Sequence, residues 1–494
     1  MRYLYTGQAA KKIDEHAVGV VGMPSLILME RAALTAAKLL MERESADARF
    51  LAVCGTGNNG GDGVAVARIL HEMGFKAAIT IVGYPDSMTE ETKKQVEIAV
   101  GSHVPVISMS ALGDHEFDVM IDALFGVGLS RDITDVYEQI ISDMNKSGAC
   151  IYSLDIPSGI DARTGHVMGI AVNADVTITF GVNKLGLILF PGCEYAGEVI
   201  VADIGFPGES IRSVDTPFFY YEPSDIANRL PRRKKRSNKG DYGHVLVVAG
   251  SENMCGAAYF AAAASYRMGA GLVKVVSPSV NRDILLGRLP EILFCEEDEL
   301  PEAVDWADSI VMGPGLGLSE SAEQIAGYVI ENSPVPTVID GDGIRLCKGI
   351  TSKLSENFIL TPHLKEMSYI TGQSVSEIAD QQVSIAMETA RELDCILAAK
   401  DARTAVTDGE TCYINVSGNN GLSTGGTGDV LSGMIAGLLG QGMEPLEAAC
   451  LGVYIHGLAA EVMSERLSTY SLMASDLLTG IPEVLAEGTK NGVH

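Results

Sequence analysis

Short apolar runs and helical patterns alternate along the first 200 residues of the chain. Runs of about five apolar residues predict buried strands, whereas apolar residues spaced three and four apart predict helices. Their alternation predicts a mostly parallel sheet with right-handed helical crossovers. The predicted strands are residues 50–54, 77–82, 119–124, 150–154, 176–180 and 198–202, and the predicted helices include residues 24–41, 90–100 and 133–145.

This alternation lapses around residues 205–224, where prolines stand at positions 207, 217 and 223, and then begins again. A chain of 494 residues is also longer than one hydrophobic core usually supports. We therefore predict two α/β domains, residues 1–215 and residues 225–494. The elements predicted in the second are strands at 244–249, 272–276, 309–312, 337–339, 358–360 and 395–399, and helices at 257–268 and 445–462.

Composition narrows the class of function. The chain carries 36 basic and 64 acidic side chains, and its net charge of −28 disfavours nucleic acid and anionic membranes as partners. Nine cysteines without a Cys-x-x-Cys pair indicate free thiols in a reducing compartment. No apolar leader and no bilayer-spanning run are visible, so we expect a cytoplasmic protein. The basic run of residues 232–236 is interpreted as a solvated linker.

A glycine-rich segment follows the first predicted strand. Residues 55–63 read Gly-Thr-Gly-Asn-Asn-Gly-Gly-Asp-Gly, and a helical pattern continues through Val64, Ala67 and Leu70. A strand, a glycine-rich loop and a helix in this order bind phosphate or a nucleotide at the strand's carboxyl end. The segment is neither the Gly-x-Gly-x-x-Gly motif nor a loop with a Walker lysine. Two asparagines and an aspartate among the glycines favour a binding site over a plain turn.

Three other predicted strands of the first half are followed by polar residues. Asp122, Asp155 and Lys184 each stand at or near the end of a predicted strand. The carboxyl ends of parallel strands meet in one crevice, so these side chains are candidates for a single site. Taken singly, each is also consistent with a helix cap or a surface ion pair.

The second half contains another candidate phosphate-binding segment, Thr424-Gly-Gly-Thr-Gly-Asp429, followed by an apolar helical run. Glycines allow close approach to the backbone, and the first N–H groups of a helix attract an anion. A carboxylate beside such a cradle is unfavourable unless it has a role, such as accepting a proton from a substrate hydroxyl. The alternative is a glycine-rich turn in which Asp429 caps the helix.

Taken together, these loops resemble those of the bifunctional NAD(P)H-hydrate repair enzymes. In the first half the resemblance rests on Asn58-Asn-Gly-Gly-Asp-Gly63, Asp122-Ala-Leu-Phe-Gly-Val-Gly-Leu129 and Asp155-Ile-Pro-Ser-Gly159. In the second half it rests on Lys239-Gly, Gly313-Pro-Gly-Leu-Gly317, Thr361-Pro-His363 and Gly425-Gly-Thr-Gly-Asp429. Two positions depart from the family pattern: Lys365 replaces a usual glycine, and Asn238 a frequent histidine.

The resemblance implies a Rossmann-like NAD(P)H-hydrate epimerase domain followed by a ribokinase-like, three-layer α/β/α dehydratase domain. It implies a catalytic or substrate-binding role for Asp155, with Lys184 a weaker candidate, and a potassium ion held by Asn59, Asp122 and Ser158. The implied epimerase substrate contacts are Asn58, Asn59, Gly60, Gly61, Asp62, Gly126, Val127, Gly128, Leu129, Ser130, Arg131, Asp132 and Asp155. The implied dehydratase contacts are Ala257, Gly317, His363 and Asp429 for the hydrate, and Lys400, Asp401, Ala402, Arg403, Thr404 and Gly428 for the nucleotide.

The resemblance also implies a reaction for each domain. A kinase-like site, with Mg²⁺ on ADP or ATP, would phosphorylate the ring hydroxyl of NADHX or NADPHX, and Asp429 would accept its proton. Phosphate then leaves more readily than hydroxide. The first domain would interconvert the R and S hydrates, and we expect the protein to be a homo-oligomer. Two alternatives stay open: a small-molecule kinase with an accessory N-terminal domain, and a non-catalytic binding module in the first half.

Overall fold

The computed structural model describes residues 1–108, 117–347 and 354–490. The chain divides into two compact units. The unit Tyr3–Phe218 is called the first domain below, and the unit formed by Phe219–His494 with Met1–Arg2 is called the second domain. Both are α/β domains, in which helices separate most of the consecutive strands.

The first domain is built on a sheet of six parallel strands in the order β3-β2-β4-β5-β6-β8. The order reverses between β2 and β4, which creates a crevice at their carboxyl ends. A short parallel pair, β1 with β7, is not part of this six-stranded sheet. The strands are β1 (Arg2–Tyr5), β2 (Arg49–Cys54), β3 (Lys76–Ile81), β4 (Val119–Ala123), β5 (Cys150–Leu154), β6 (Val176–Phe180), β7 (Asn183–Lys184) and β8 (Glu198–Ala202). The helices are α1 (Gly7–Gly19), α2 (Ser25–Arg43), α3 (Asn58–Glu72), α4 (Glu90–Gly101), α5 (Asp135–Lys146), α6 (Gly192–Tyr195) and α7 (Gly208–Arg212).

Each face of this sheet packs against its own hydrophobic core. Along β2, Phe50 and Ala52 join one buried cluster, whereas Leu51 and Val53 join the other. Side chains of a strand alternate between the two faces, so a strand covered on both sides must be apolar throughout. This is why β2 appears in the sequence as an unbroken apolar run rather than an alternating one.

The second domain contains a longer sheet in which β12-β11-β10-β13-β14-β15-β16-β17-β18 are neighbours in that order. The strands from β12 to β16 are parallel, and β16, β17 and β18 are antiparallel. The strand order reverses between β10 and β13. The strands of this half of the chain are β9 (Phe218–Tyr220), β10 (His244–Val248), β11 (Leu272–Val276), β12 (Leu293–Cys295), β13 (Ser309–Met312), β14 (Thr337–Ile339), β15 (Phe358–Leu360), β16 (Ile396–Ala399), β17 (Ala405–Thr407) and β18 (Cys412–Ile414).

Helices cover this sheet, and two separate cores again lie against its faces. Val245 and Val247 of β10 belong to one core, and Leu246 and Val248 to the other. The helices are α8 (Ser224–Arg229), α9 (Cys255–Arg267), α10 (Arg282–Arg288), α11 (Leu300–Trp306), α12 (Glu320–Asn332), α13 (Asp342–Leu346), α14 (Leu364–Thr371), α15 (Val375–Asp380), α16 (Gln382–Leu393), α17 (Thr427–Gly440), α18 (Pro445–Leu467) and α19 (Ala474–Lys490). Helix α18 is long and apolar enough to cross a bilayer, but 72% of its most apolar window is buried inside the protein, as in a core helix.

The predicted strands agree with the structure to within one residue at each end, because they are buried apolar runs bounded by polar turns. Helix ends were predicted less well: α18 continues five residues beyond the predicted end at residue 462. The sequence did not predict helix α1, which buries only Gly7, Ala10, Ile13 and Ala17. It also missed six short strands of two to four residues each, namely β1, β7, β9, β12, β17 and β18.

Candidate active sites

The first candidate site lies where the strand order of the first domain reverses. Helix α3 begins at Asn58, so the asparagines and glycines predicted as a loop form its first turns. Gly60 packs directly on the backbone after β2, since a Cβ there would lie 1.9 Å from the Gly55 carbonyl oxygen. Only glycine permits this approach. The N-terminal end of a fifteen-residue helix is thereby fixed beside the carboxyl ends of β2 and β4.

A buried polar cluster occupies the end of β4. The Asp122 carboxylate is fully buried and accepts hydrogen bonds from the Ser158 hydroxyl at 2.6 Å, the Ser158 N–H at 2.8 Å and the Ser153 hydroxyl at 2.7 Å. The Ser158 hydroxyl oxygen also accepts from the Phe125 N–H at 2.8 Å. Burial raises the pKa of Asp122, and its hydrogen bonds to Ser158 act in the opposite direction.

Asn59 joins this cluster from the first turn of α3. Its Nδ2 donates to the Phe125 carbonyl oxygen at 3.0 Å, and that oxygen also lies 3.2 Å from the Ser158 hydroxyl. The Oδ1 atom of Asn59 is buried and has no hydrogen-bond partner within the described residues. Such an atom costs free energy unless a donor or a cation satisfies it. The oxygens of Asn59, Phe125, Ser158 and Asp122 therefore fit a hard monovalent cation such as potassium.

Asp155 follows β5 in a left-handed backbone conformation, with φ of 68°. Its carboxylate is paired with the ammonium of Lys184, a side chain only 2% exposed. The Lys184 ammonium also donates to the Thr179 hydroxyl at 2.8 Å and to the Phe180 carbonyl oxygen at 3.1 Å. Three acceptors thus hold one cation, and that cation fixes the Asp155 carboxylate at the edge of the sheet.

Two further carboxyl groups lie within electrostatic range of Asp155. Burial, and then the charge of Asp155, raise the pKa of Asp14 to about 6. The same two causes, together with Asp14, raise the pKa of Asp62 well above its usual value. The site therefore contains one carboxyl group with a pKa of about 6, Asp14, and a second with a raised pKa, Asp62, beside a fixed ion pair. Asp62 was among the predicted residues, whereas Asp14 was not, since helix α1 was not predicted.

The other predicted contacts of the first domain form the loop after β4. Gly126 packs against Asn59, since a Cβ at Gly126 would lie 3.3 Å from the Asn59 Cβ. The following positions are increasingly open to solvent, and Gly128, Ser130, Arg131 and Asp132 are exposed. The structure thus brings Asn59 and Gly126 together with Asp122 and leaves the rest of this loop free to meet a ligand.

The second candidate site is a cavity of about 580 Å³ in the second domain. Its walls come from segments that follow β10, β13, β14, β15 and β18, on both sides of the reversal in strand order. Three of the four predicted hydrate-binding residues, Ala257, His363 and Asp429, line it. The fourth, Gly317, is not part of the lining, but its N–H donates to the Asp342 carboxylate of the lining at 2.9 Å.

Asp429 lies in the first turn of α17, three residues after the residue that caps the helix. That cap is Gly426, in a left-handed conformation with φ of 93°, and no side chain accepts a hydrogen bond there. The alternative that Asp429 caps the helix is therefore wrong. Burial, and then the charge of Asp340, raise the pKa of Asp429 to about 7. A carboxylate with this pKa is matched to accept a proton at neutral pH.

A buried ion pair lies next to Asp429. The Lys400 ammonium donates to the Asp340 carboxylate at 2.8 Å, and the two side chains are 20% and 3% exposed. Burial alone would lower the pKa of Lys400, but Asp340 and Glu366 outweigh it and raise that pKa. Burial also opposes ionisation of Asp340, but Lys400 outweighs it and lowers the pKa of that carboxyl. A Cβ on Gly428 would lie 3.3 Å from this ammonium. Lys400 and Gly428, both predicted nucleotide contacts, are therefore adjacent.

His363 and Glu366 begin helix α14 as a reciprocal cap. The His363 Nδ1 accepts from the Glu366 N–H at 3.2 Å, and the Glu366 carboxylate accepts from the His363 N–H at 2.9 Å. Burial, in opposition to Lys400, raises the pKa of Glu366 to about 7. Burial and Lys400 lower the pKa of His363, which keeps its imidazole neutral at pH 7. Glu366 thus contributes a second carboxyl group that titrates near neutrality.

The other predicted nucleotide contacts follow β16. Asp401 and Ala402 are exposed, Thr404 is buried, and the Arg403 guanidinium donates to the Val416 carbonyl oxygen at 3.0 Å. None of these four residues lines the cavity.

The arrangement as a whole, a carboxylate base at a glycine-rich helix start beside a buried lysine, suits phosphoryl transfer to a substrate hydroxyl.

Two family models match the chain. The model described as NAD(P)H-hydrate dehydratase matches residues 245–483, and the model described as YjeF-related protein N-terminus matches residues 25–186. A bifunctional NAD(P)H-hydrate repair enzyme from Thermofilum pendens is 35% identical over 499 residues, covering 96% of this chain and 94% of the relative. The corresponding enzyme of Escherichia coli is 32% identical, covering 96% of this chain and 92% of the relative.

Solved structures resemble the second half of the chain. The ADP/ATP-dependent NAD(P)H-hydrate dehydratase of Bacillus subtilis, co-crystallised with ATP/Mg²⁺, is 30% identical with a TM-score of 0.50, covering 55% of this chain and 98% of that one. A ribokinase-like superfamily protein of Enterococcus faecalis is 27% identical with a TM-score of 0.52, covering 56% and 98%. The ribokinase-like fold predicted for the second half is therefore confirmed.

Proposed function

The chain belongs to the bifunctional NAD(P)H-hydrate repair enzymes, and we propose that each of its two reactions takes place at one of the two sites described above. The enzyme epimerises the R and S forms of hydrated NAD(P)H, and it dehydrates the S form to NAD(P)H using ADP or ATP. Membership of this family supports these two activities over the two alternatives, a small-molecule kinase and a non-catalytic binding module.

Asp429 is the proposed base of the dehydration. The hydroxyl oxygen on ring carbon six of the S hydrate attacks the terminal phosphorus of the donor nucleotide, and its proton passes to Asp429. The bond from that phosphorus to its bridging oxygen breaks, which releases AMP from ADP or ADP from ATP. The N–H groups of the turn at residues 425–428 and the Lys400 ammonium stabilise the negative charge of the transferring phosphoryl group. Phosphate then leaves carbon six as a proton leaves the neighbouring ring carbon, which restores the reduced nicotinamide. The pKa of about 7 for Asp429, at the start of this glycine-rich helix, carries this assignment.

The donor nucleotide is proposed to lie along Lys400, Asp401, Ala402, Arg403, Thr404 and Gly428. Mg²⁺ would neutralise its phosphates, as in kinase-like sites generally. Within the described ranges, no three His, Cys, Asp or Glu side chains form a metal-binding group. Mg²⁺ would therefore be held chiefly through the donor phosphates, whose charge it would neutralise.

In the first domain, Asp155 is the proposed catalytic carboxylate of epimerisation, and Lys184 positions it. The hydrate is expected to contact the first turn of α3 and the loop at residues 126–132. The unpartnered Oδ1 of Asn59 supports a potassium ion ligated by Asn59, Asp122 and Ser158. That ion would offset the buried charge of Asp122 and hold three chain segments together.

Two broader expectations accompany these assignments. We propose a homo-oligomer, since large apolar side chains are exposed close together in sequence around helices α1 and α2, at Val18, Val20, Ile27 and Leu34. Sedimentation equilibrium measures the number of subunits, and a monomer at micromolar concentration would contradict this proposal. We also propose a cytoplasmic location, because none of the nine cysteines, all within the described residues, forms a disulfide.

One experiment tests the dehydration directly. Purified protein is mixed with an R and S hydrate mixture, Mg²⁺ and either ADP or ATP, and the return of reduced-nicotinamide absorbance is followed while phosphate is measured. We expect one inorganic phosphate per NAD(P)H formed. A stable phosphorylated product without NAD(P)H would indicate a kinase instead. Comparison of the two nucleotides identifies the preferred donor.

A further inference from the structure

The charged side chains that line the second-domain cavity are sorted by their exposure. The basic residues Arg345 and Lys365 are exposed. The acidic residues are less accessible: Glu366 is 7% exposed, and Asp342 and Asp429 are half-buried. Positive charge therefore lies at the outer part of the wall, and the carboxyl groups lie further inside.

Neither Arg345 nor Lys365 is neutralised by a carboxylate. Among the residues that the structure describes, neither cation has an Asp or Glu oxygen within 4.0 Å, whereas Lys400 of the same region is paired with Asp340. The Arg345 guanidinium instead lies 5.6 Å from the centre of the Tyr369 ring, another residue of the cavity wall. Two unpaired cations on one cavity are a distinct feature in a chain with 64 acidic side chains and a net charge of −28.

The fold places these two cations on one edge of the sheet. Arg345 lies in α13, directly after β14, and Lys365 lies in α14, directly after β15. Strands β14 and β15 are parallel neighbours, with Val338 opposite Ile359. The backbone of Lys365 is fixed, because its N–H donates to the His363 Nδ1 at 3.1 Å. Two neighbouring strand–helix units therefore present one cation each to the same cavity.

We propose that Arg345 and Lys365 together bind a phosphate group of the hydrated dinucleotide at the outer part of this cavity. The inference rests on the placement of the hydrate in the cavity, proposed above. The phosphate is either the pyrophosphate, which NADHX and NADPHX share, or the 2′-phosphate, which only NADPHX carries. Arginine offers a fork of donors and lysine a compact charge, and both recognise phosphate oxygens. In the second case the pair also sets the preference for NADPHX.

The test compares Lys365→Ala, Arg345→Gln and the double variant with the intact enzyme. The S hydrates of NADH and of NADPH are assayed separately, at saturating nucleotide and Mg²⁺ and at several salt concentrations. The control is Lys235→Ala, which removes an exposed charge from the segment preceding β10. We expect each single variant to raise KM for the hydrate by about 3- to 10-fold, with kcat nearly unchanged, because exposed charge-assisted hydrogen bonds are of that strength. Lys365→Arg should restore most of the affinity.

Comparison of the KM increases for the two hydrates identifies which phosphate group the two cations bind. Equal increases in KM for both hydrates support the pyrophosphate, and a larger increase for NADPHX supports the 2′-phosphate. Either result should be accompanied by a weaker dependence of KM on salt, since fewer charges remain to be screened. Two results would overturn the inference. One is a double variant whose KM values for the hydrates match those of Lys235→Ala. The other, found when the nucleotide is varied at saturating hydrate, is an increase confined to the KM of the nucleotide.

Asp429→Asn in the same assay separates this inference from the site on which it rests. If Asp429→Asn loses turnover while the double variant binds both hydrates normally, the hydrate reacts in this cavity but the cations do not hold it. If Asp429→Asn turns over normally, the site is misplaced and the inference fails with it. Epimerisation by the first domain should be unchanged in the cation variants and serves as the internal measure of folded protein.

Discussion

Replacement of Asp429 by asparagine should stop dehydration and at the same time stabilise the second domain. The substitution keeps the shape of the side chain but removes the group that accepts the hydroxyl proton. Loss of a general base typically lowers a rate by about 10²–10⁴-fold. The expected result is therefore an S hydrate that persists in the presence of nucleotide and Mg²⁺, while the R and S forms still interconvert.

The pH dependence follows from the pKa of Asp429, which burial and Asp340 raise to about 7. The carboxyl is protonated below that pH, so the basic form is lost as the pH falls. Its ionised fraction drops from about nine-tenths at pH 8 to about one-tenth at pH 6. The kcat/KM of the intact enzyme for the S hydrate reports ionisation of the free enzyme and should therefore fall about tenfold over this range, whereas that of Asp429→Asn should not. Glu366→Gln should retain the fall, which distinguishes Asp429 from the second carboxyl of the cavity.

The same pKa predicts a gain in stability. A carboxyl whose pKa rises from 3.8 to about 7 on folding does not penalise the native state below pH 3.8, but penalises it increasingly as the pH rises to 7. This pKa shift corresponds to about 4 kcal/mol in the free energy of unfolding. Because Asp429 is only half-buried and lies near Lys400, we expect an effect of about 2 kcal/mol. Asp429→Asn should therefore raise Tm at pH 8 by about 4–8 °C, and should leave it unchanged near pH 4.

Calorimetry at pH 4 and pH 8, together with the absorbance assay, tests both effects. Asp305→Asn is the matched control, because it removes the same charge from an exposed position on α11. It should change neither activity nor Tm appreciably. Normal turnover by Asp429→Asn would refute its role as the base. A lower Tm at pH 8 would refute the argument that burial of its charge is unfavourable.

Three further substitutions test the remaining assignments. Asp122→Ala should impair potassium-dependent epimerisation and leave dehydration intact, and normal epimerisation by this variant in potassium-free buffer would contradict the cation site. Gly428→Val should weaken nucleotide binding measured by calorimetry, because its branched side chain would begin 3.3 Å from the Lys400 ammonium; unchanged affinity in the folded variant would move the nucleotide elsewhere. Asp155→Asn should leave S hydrate repair at its normal rate while R hydrate accumulates, as chromatography of the two epimers would reveal; a normal clearance of R hydrate would exclude Asp155 as the catalytic carboxylate.

The elements that carry these sites were predictable because their signals are local. Strands such as Val176–Phe180 are buried on both faces, so each is an apolar run that ends where polar residues begin. The start of α17 was visible for a similar reason, since its glycines and Asp429 are consecutive in the sequence. Because the carboxyl ends of parallel strands meet at one edge of a sheet, Asp122 and Asp155 could be predicted to share a site, although 33 positions separate them.

Other features of the sites depend on contacts between distant segments, which no local pattern reveals. The ion pair of Lys400 with Asp340 joins residues 60 positions apart, and the raised pKa of Asp429 depends on both. Asp14 lies in a helix of weak apolar pattern, and only the fold brings it near Asp155. The two unpaired cations of the cavity became apparent only when their neighbours in space were known.

The raised pKa values also suit the proposed binding of an anionic dinucleotide to so acidic a chain. Asp429 and Glu366 line the cavity, and each has a pKa of about 7, so each carries only part of its negative charge at neutral pH. An approaching phosphate raises these pKa values further, and the proton taken up offsets the repulsion. Asp14, with a pKa of about 6, offers the same adjustment in the first domain. A carboxyl group with an ordinary pKa would stay fully ionised and repel the substrate, whereas an asparagine or glutamine in its place could not accept the proton that the reaction releases.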